Sequence, residues 1–304
     1  MIRMGIIGVG RWGRNHARVV YELSRELSSD LEFTAVCDID ISRALDVAKI
    51  YGVPYAFSNL DEFVRYVDAV IIATPIDTLS DIALKVVGIG KHALIEKPGA
   101  LNSRDLSVIE RVATSRDVVV GVGYVMRFSH TVEFIKEFLS KFNPQFILFR
   151  RFSRRPNHLK GTSIVLDLAV HDIDLCLFLT DAESWRVELA KVFHTETDDS
   201  VIAVLNVRNI YCSIHADGVA PYKVREIDVI GTNAFVRSDS SRESVVIEWN
   251  NGSTDTLKLS GEEPLKREVR SFIEAIKFGK YGRLASPRNA INVLQIVENI
   301  LDRT

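Results

Sequence analysis

The run Gly5-Ile6-Ile7-Gly8-Val9-Gly10-Arg11-Trp12-Gly13 joins a short apolar strand, Ile2 to Ile7, to a segment with helical spacing. Each glycine has its own reason to be there: Gly8 for a tight turn off the strand, Gly10 for close approach of a ligand to bare backbone, Gly13 for packing of helix on strand. The helix start adds free N–H groups and a positive dipole end, which suits the pyrophosphate of a dinucleotide. Gly8, Gly10, Arg11, Trp12 and Gly13 are therefore the expected cofactor turn. A second β-rich run, Leu31 to Cys37, ends in Asp38, whose carboxylate can accept hydrogen bonds from an adenosine ribose. Asp38 lies farther past Gly13 than the usual ~20 residues, which predicts a lengthened first helix or exit loop over Tyr21 to Asp30. A plain strand-turn-helix followed by an acidic turn would share this pattern. Ile39 follows Asp38 and no basic residue precedes Arg43, which favours NAD; Arg43 keeps NADP open.

At 304 residues the chain is long enough for two cores. Up to about Tyr124, short apolar strands (Ile2 to Ile7, Phe33 to Cys37, Ala69 to Ala73, His92 to Ile95, Val118 to Val122) alternate with helical patterns from Arg14, Ser42, Leu60, Ser80 and Ser103. That alternation is the mark of βαβ units and a parallel sheet buried on both faces. After a helical stretch from His130 to Lys141 the rhythm changes to closely spaced strands: Phe146 to Phe152, Val187 to Phe193, Val201 to Val207, Tyr211 to His215, Val224 to Ile230, Ala234 to Arg237 and Ser244 to Trp249. Asn250-Asn251-Gly252 is a hairpin turn. One helix near Asp167 to Leu179 interrupts the strands; Leu265 to Phe278 and Arg288 to Leu301 follow. The fold class expected is an α/β Rossmann-type parallel-sheet domain, residues 1–124, plus an α+β domain with a large, mainly antiparallel open sheet, residues 125–304. The first would bind NAD(P), the second substrate and a further copy of the chain.

A formal charge of −2 gives no reason to expect nucleic acid. No apolar run approaches the ~18 residues of a membrane span, and the chain opens on a strand rather than a leader peptide, so no membrane partner is expected and the chain reads as cytoplasmic. Cys37, Cys176 and Cys212 are scattered in apolar segments and form no CxxC pair, so neither a metal site nor a disulfide framework is expected. The same count leaves no ligand set for zinc-dependent alcohol oxidation, and the absence of any Tyr-x-x-x-Lys pair argues against a short-chain dehydrogenase.

Two further segments carry titratable chemistry. In the run from Gly90 to Pro98, Lys97 follows a parallel strand's carboxyl end. A lysine there offers a charge and a titratable proton to a substrate hydroxyl, and the X-Pro bond after it, in cis, would fix its direction; a surface lysine in a turn fits equally. Asp167 and His171 stand four apart among Leu166, Leu168, Val170, Leu175 and Leu177, on one face of a helix. The imidazole suits proton exchange near neutral pH and the carboxylate can orient it or hold substrate; a helix cap with a core histidine reads as well.

The ordered set GVGRWG, CDID, AVIIATP at 69–75, GKHALIEKP at 90–98 and LDLAVHDID at 166–174 resembles the glucose-fructose oxidoreductase, inositol dehydrogenase and MocA family over nearly the whole chain. The resemblance implies an NAD(P)-dependent dehydrogenase with a catalytic set of Lys97, Asp167 and His171. His171 would take the hydroxyl proton, Lys97 would polarise the oxygen and share the proton, and Asp167 would hold substrate. It also implies cofactor contacts at Thr74, Pro75, Glu96 and Lys97, and a homodimer or homotetramer. Leu79 stands where the family often has a histidine, and Ser129-His130 replaces Asn-Pro after Arg127-Phe128; Arg127 is still expected at the substrate. The basic loop Arg150, Arg151, Arg154, Arg155, His158 and Lys160 offers forked guanidinium groups to phosphates, or simply a solvated loop. Tyr124 to Phe128 and Glu263 to Lys266 are similar to the branch that acts on UDP-N-acetylglucosamine. The expected substrate is thus a sugar or sugar nucleotide, foremost a UDP-N-acetylhexosamine, held by Lys97, Arg127, Arg154, His158, Asp167 and His171. An inositol or free sugar is the alternative, as are hydrolysis through a retained NAD and a non-catalytic NAD-binding sensor.

Overall fold

A computed structural model describes residues 1–139, 142–156, 161–195 and 199–303. The chain divides into two compact units, Met1–Val125 with Leu265–Ile291, and Met126–Pro264 with the residues from Asn292 onward. This differs from a single division after residue 124, because a late segment returns to the first unit.

The first unit is a six-stranded sheet in the order β3-β2-β1-β4-β5-β6, built of β1 (Ile2–Ile7), β2 (Leu31–Cys37), β3 (Tyr55–Phe57), β4 (Ala69–Ile72), β5 (His92–Glu96) and β6 (Val120–Gly123). All its pairings are parallel. Between the strands run α1 (Arg11–Glu26), α2 (Ile41–Tyr51), a single turn α3 (Leu60–Phe63), α4 (Leu79–Gly88) and α5 (Ser103–Arg116). α1 begins at Arg11, three residues ahead of the expected start, because the glycine turn itself supplies the first helical turn. It continues to Glu26, which accounts for the long interval before Asp38.

A parallel sheet has to be covered on both faces, and five short helices do not suffice. α8 (Pro264–Phe278) supplies the missing cover: its Leu265, Val269, Phe272, Ile273 and Ala275 join Met4, Ile6, Leu23, Phe33 and Ile71 in one core. Its charged face pairs along α1, with Arg270 on Glu26 at 3.0 Å, Lys277 on Asp30 at 2.7 Å, and Lys266 also on Glu26.

The second unit carries an eight-stranded sheet in the order β14-β13-β12-β11-β7-β10-β9-β8. Its strands are β7 (Pro144–Phe152), β8 (Arg186–His194), β9 (Asp199–Val207), β10 (Ile210–Asp217), β11 (Val224–Gly231), β12 (Ala234–Asp239), β13 (Ser244–Trp249) and β14 (Thr254–Lys258). β7 and β10 run parallel; the other pairs are antiparallel. α6 (His130–Leu139) ends at the last described residue before 142, so Lys141, expected inside it, lies outside the described residues. α7 (Val170–Thr180) packs on β7, β9 and β10 and is buried nearly all round. Its two buried acids are each gripped by a guanidinium fork, Asp174 by Arg127 and Asp172 by Arg151, both at 2.6 Å. Burial pushes both carboxyls up, and the arginines oppose it. Removing one member of such a pair typically costs about 3–5 kcal/mol. α9 (Pro287–Leu301) closes the chain.

Cys37, Cys176 and Cys212 are buried free thiols, and burial raises Cys37 to about 11. Among the described residues no helix is long and apolar enough to cross a membrane, and no group of metal-binding side chains is assembled.

His92 gives the first unit a pH dependence. Its Nδ1 accepts the Val119 N–H at 2.9 Å, which requires a bare ring nitrogen, and burial lowers its pKa from the ordinary 6.5, against Asp68 and Asp117. A histidine with a depressed folded pKa leaves stability intact above its unfolded value and withdraws it as pH falls toward the folded one. Chemical denaturation at pH 7.5 and 5.5 should therefore show a smaller loss of stability on acidification in His92→Gln, whose amide oxygen accepts the same N–H without titrating, than in the parent.

Candidate functional site

The carboxyl ends of β1, β2, β4 and β5 carry the expected cofactor residues, all within the first unit. Gly8 has φ of +83°, and a Cβ there would stand 2.7 Å from Ala73 O. A Cβ at Gly13 would overlap the Gly8 carbonyl, so α1 sits against the turn only because Gly13 has no side chain. Gly10, the N-cap of α1, is different: nothing lies within 4 Å of where its Cβ would be. No side chain caps α1 and no acid stands in its first turn, so its leading N–H groups face outward over bare backbone. These features fit a dinucleotide pyrophosphate, held by Gly10 and the amides of Arg11, Trp12 and Gly13. Arg11 and Trp12 are themselves exposed.

Asp38 is 7% exposed and turns one oxygen to the Val9 N–H at 2.8 Å and the other to the Asp40 N–H at 3.0 Å. It thus ties β2 to the glycine turn, and an ionised carboxylate with two donors keeps lone pairs for ribose hydroxyls. Arg43 pairs with Asp40, Nε to Oδ2 3.3 Å, and Asp40 also caps α2 through the Ser42 N–H. A 2′-phosphate would meet Asp38 and Asp40 as well as Arg43. Past β4, Thr74 accepts from the Thr78 hydroxyl at 2.9 Å and Pro75 opens a short 3-10 turn, Ile76–Thr78. Leu79, at the position where the family often has a histidine, is 1% exposed and belongs to the core.

Lys97 follows β5 in a turn closed by the Gly99 N–H on Glu96 O at 2.9 Å, and the Lys97-Pro98 bond is cis. Glu96 Oε2 accepts the Lys97 N–H at 3.2 Å, while its Oε1 is 2.7 Å from Nε2 of His16, on α1. The sequence reading passed over His16; its signal is the spacing, three residues beyond Gly13 on the same helix face.

In the second unit Asp167 lies in a wide π-helical turn, Val165–Ala169, that leads directly into α7 and His171. Such turns recur at functional positions. Asp167 is 9% exposed, with Arg155 Nη1 at 3.8 Å from its Oδ2, and His171 is half-buried.

Three arginines of the basic loop are engaged inside the second unit. Arg150 pairs with Glu226 and Asp228, both at 2.8 Å; Arg151 is spent on Asp172; Arg155 is buried, donates to Thr162 O at 2.7 Å and stands beside Asp167. Arg150 and Arg151, adjacent in sequence on β7, point to opposite faces, so their guanidinium groups diverge and meet acids that are distant in sequence. Arg154 is exposed, and His158 and Lys160 lie outside the described residues. Arg127 is buried against Asp174 and over the Phe178 ring.

Two sequence models of one family match the chain: the "Oxidoreductase family, NAD-binding Rossmann fold" over residues 2–124, and the "GFO/IDH/MocA C-terminal domain" over residues 135–237. The chain belongs to the GFO/IDH/MocA oxidoreductases. Like the family, it is an NAD-binding dehydrogenase. It is 26% identical over 287 residues to a UDP-N-acetylglucosamine 3-dehydrogenase of Acidithiobacillus ferrooxidans, covering 90% of this chain and 88% of that one. A myo-inositol 2-dehydrogenase of Thermotoga maritima is 24% identical over 308 residues, 92% of this chain and 89% of the other. A solved structure of the Acidithiobacillus enzyme shares the fold, with a TM-score of 0.89 at 24% identity over 99% of this chain and 97% of that one.

The glycines separate cofactor binding from stability. Gly10→Ala, with room for its methyl, should melt near the parent temperature yet bind NADH at least about tenfold more weakly, a side chain now standing where backbone must approach phosphate. Gly13→Ala should lower the melting temperature as well; a thermal melt and an NADH fluorescence titration on both variants check this.

Proposed function

We propose that this GFO/IDH/MocA member oxidises a secondary hydroxyl of a sugar nucleotide, foremost a UDP-N-acetylhexosamine, in the cytoplasm, with Lys97, Asp167 and His171 as the catalytic set. Bound NAD supplies the hydride acceptor. Lys97 polarises the hydroxyl oxygen through its ammonium and shares the proton; His171 accepts that proton; Asp167 binds the substrate beside it. The observation that carries this reading is the fixed turn at Lys97, which sets a lysine just past a parallel strand's carboxyl end in an NAD-binding unit, where ligands of open α/β sheets collect. Asp167 and His171 add an acid and an imidazole on one helical stretch. The sugar-nucleotide choice leans on the likeness to the Acidithiobacillus enzyme, and three buried reduced thiols suit a reducing compartment.

A second substrate reading, a free cyclitol or sugar, has its own support. Arg150, Arg151 and Arg155 are committed to acids and carbonyls inside the second unit, which leaves Arg154 as the described loop arginine open to a diphosphate. The likeness to the Thermotoga inositol dehydrogenase points the same way.

NADH formation measured across UDP-N-acetylhexosamines, inositols and free hexoses decides between them; no reduction of NAD by any of these would return the chain to a non-catalytic NAD binder. With the active substrate, Lys97→Ala should lower kcat about 10²–10⁴-fold while NAD affinity stays near the parent's.

The reading includes self-association through the second sheet. One face of β7, β9 and β10 is buried; the other presents Phe146, Leu148, Ile202, Val204 and Tyr211, incompletely covered. In register Phe146 lies beside Tyr211, while Ser213 stands between Leu148 and Val204 and His215 beside Ile202. Apolar side chains left incompletely covered on one sheet face suit an interaction surface. Light scattering after size exclusion should give a dimer or tetramer for the parent and a smaller species for Val204→Glu.

A further inference from the structure

The helix that opens at the glycine turn also reaches the turn that carries Lys97. His16, on the same face of α1 as Gly13, is 1% exposed. Its Nε2 is 2.7 Å from Glu96 Oε1, and the second oxygen of the same carboxylate accepts the Lys97 N–H at 3.2 Å. The Glu96 carbonyl holds the far side of the turn through the Gly99 N–H at 2.9 Å. A carboxylate only accepts, so Nε2 carries the hydrogen. The other ring nitrogen, Nδ1, is buried and finds no hydrogen-bond partner among the described residues.

An imidazole with one unsatisfied nitrogen is a poor way to fill a core. Its neighbours along the helix, Ala17, Val19 and Val20, are apolar, and a leucine would meet them without an orphaned atom. What a leucine lacks is the donor that Glu96 takes. Without it, Glu96 would keep the Lys97 amide but lose its anchor on α1, and its carboxylate would be free to swing with the turn.

We propose that His16 is a positioning residue for Lys97. It pins Glu96, and Glu96 in turn pins the backbone of the lysine, so that the helix whose start receives the pyrophosphate and the turn that bears the ammonium are one hydrogen-bonded assembly. The inference rests on the catalytic reading of Lys97 given above.

The test compares His16→Leu, His16→Gln, Glu96→Gln and Lys97→Ala. The Gln side chain at position 16 can donate to Glu96; the Leu cannot. With NAD and the panel substrate that turns over, His16→Leu should lose kcat about 10²-fold, as misplacement by roughly an ångström does, with KM little changed, and His16→Gln should recover most of the loss. Glu96→Gln, which weakens the same link, should add little further loss when combined with His16→Leu. A second readout needs neither substrate nor cofactor: in protein labelled with 15N-lysine, the Lys97 amide resonance, identified by its disappearance in Lys97→Arg, should move in His16→Leu and return in His16→Gln. Parent-like kcat and amide position in His16→Leu, beside an inactive Lys97→Ala, overturn the positioning role alone. Equal losses in the Leu and Gln variants, tracking a drop in melting temperature, overturn it too, since a packing role predicts no rescue. Turnover surviving in Lys97→Ala overturns the catalytic reading and this inference with it.

Discussion

The contact on which the first unit depends is the approach of α1 to the turn after β1, where Gly13 lies against the Gly8 carbonyl with no room for a methyl group. Because the helix is drawn in that close, its first turn opens directly over bare backbone at Gly10, and the next turn carries His16 down to Glu96. Asp38 fastens the same turn from the other side through the Val9 N–H. One steric condition therefore sets the outward-facing amides at the start of α1 and the footing of the Lys97 turn, with Asp38 fastened to the same turn.

The second unit solves a different problem. α7 is apolar enough to be buried nearly all round, yet it carries Asp172 and Asp174 into that interior, where each is affordable only with its own arginine. The forked pairs fix the helix in rotation and in axial position, since sliding it by one residue would strand two charges. His171 lies on the helix so fixed, one residue before the first of these acids, and Asp167 lies one turn earlier in the wide turn beside Arg155. Buried ion pairs of this kind give little net stability and much geometric definition.

Much of this was legible in the sequence. The buried parallel strands announce themselves as apolar runs, and the glycine spacing states a steric requirement that the backbone then meets at Gly8 and Gly13. The strands that escaped reading were β3, only three residues long, and β14, whose Thr-Asp-Thr-Leu-Lys is polar because it is a sheet edge. The late return of α8 to the first sheet escaped as well, because an amphipathic helix does not say which apolar surface it will cover. At the site, sequence gave residue types but not their partners. Arg150, Arg151 and Arg155 resemble a phosphate loop until Asp228, Asp172 and Asp167 are seen to lie against them, a matter of long-range pairing that spacing along the chain does not encode. His16 was missed for the same reason, since Glu96 is eighty residues away in the sequence.

The cover that α8 lends to the parallel sheet has a consequence for how the molecule comes into being. Residues 1–125 are translated before α8 and can pair their strands, but the part of their core that will lie under Leu265, Val269 and Phe272 waits for its cover while some 140 further residues are translated. The nascent chain must be kept from sticking through that surface until its tail arrives. The unit that binds the dinucleotide is thus completed only after most of the second unit has been made.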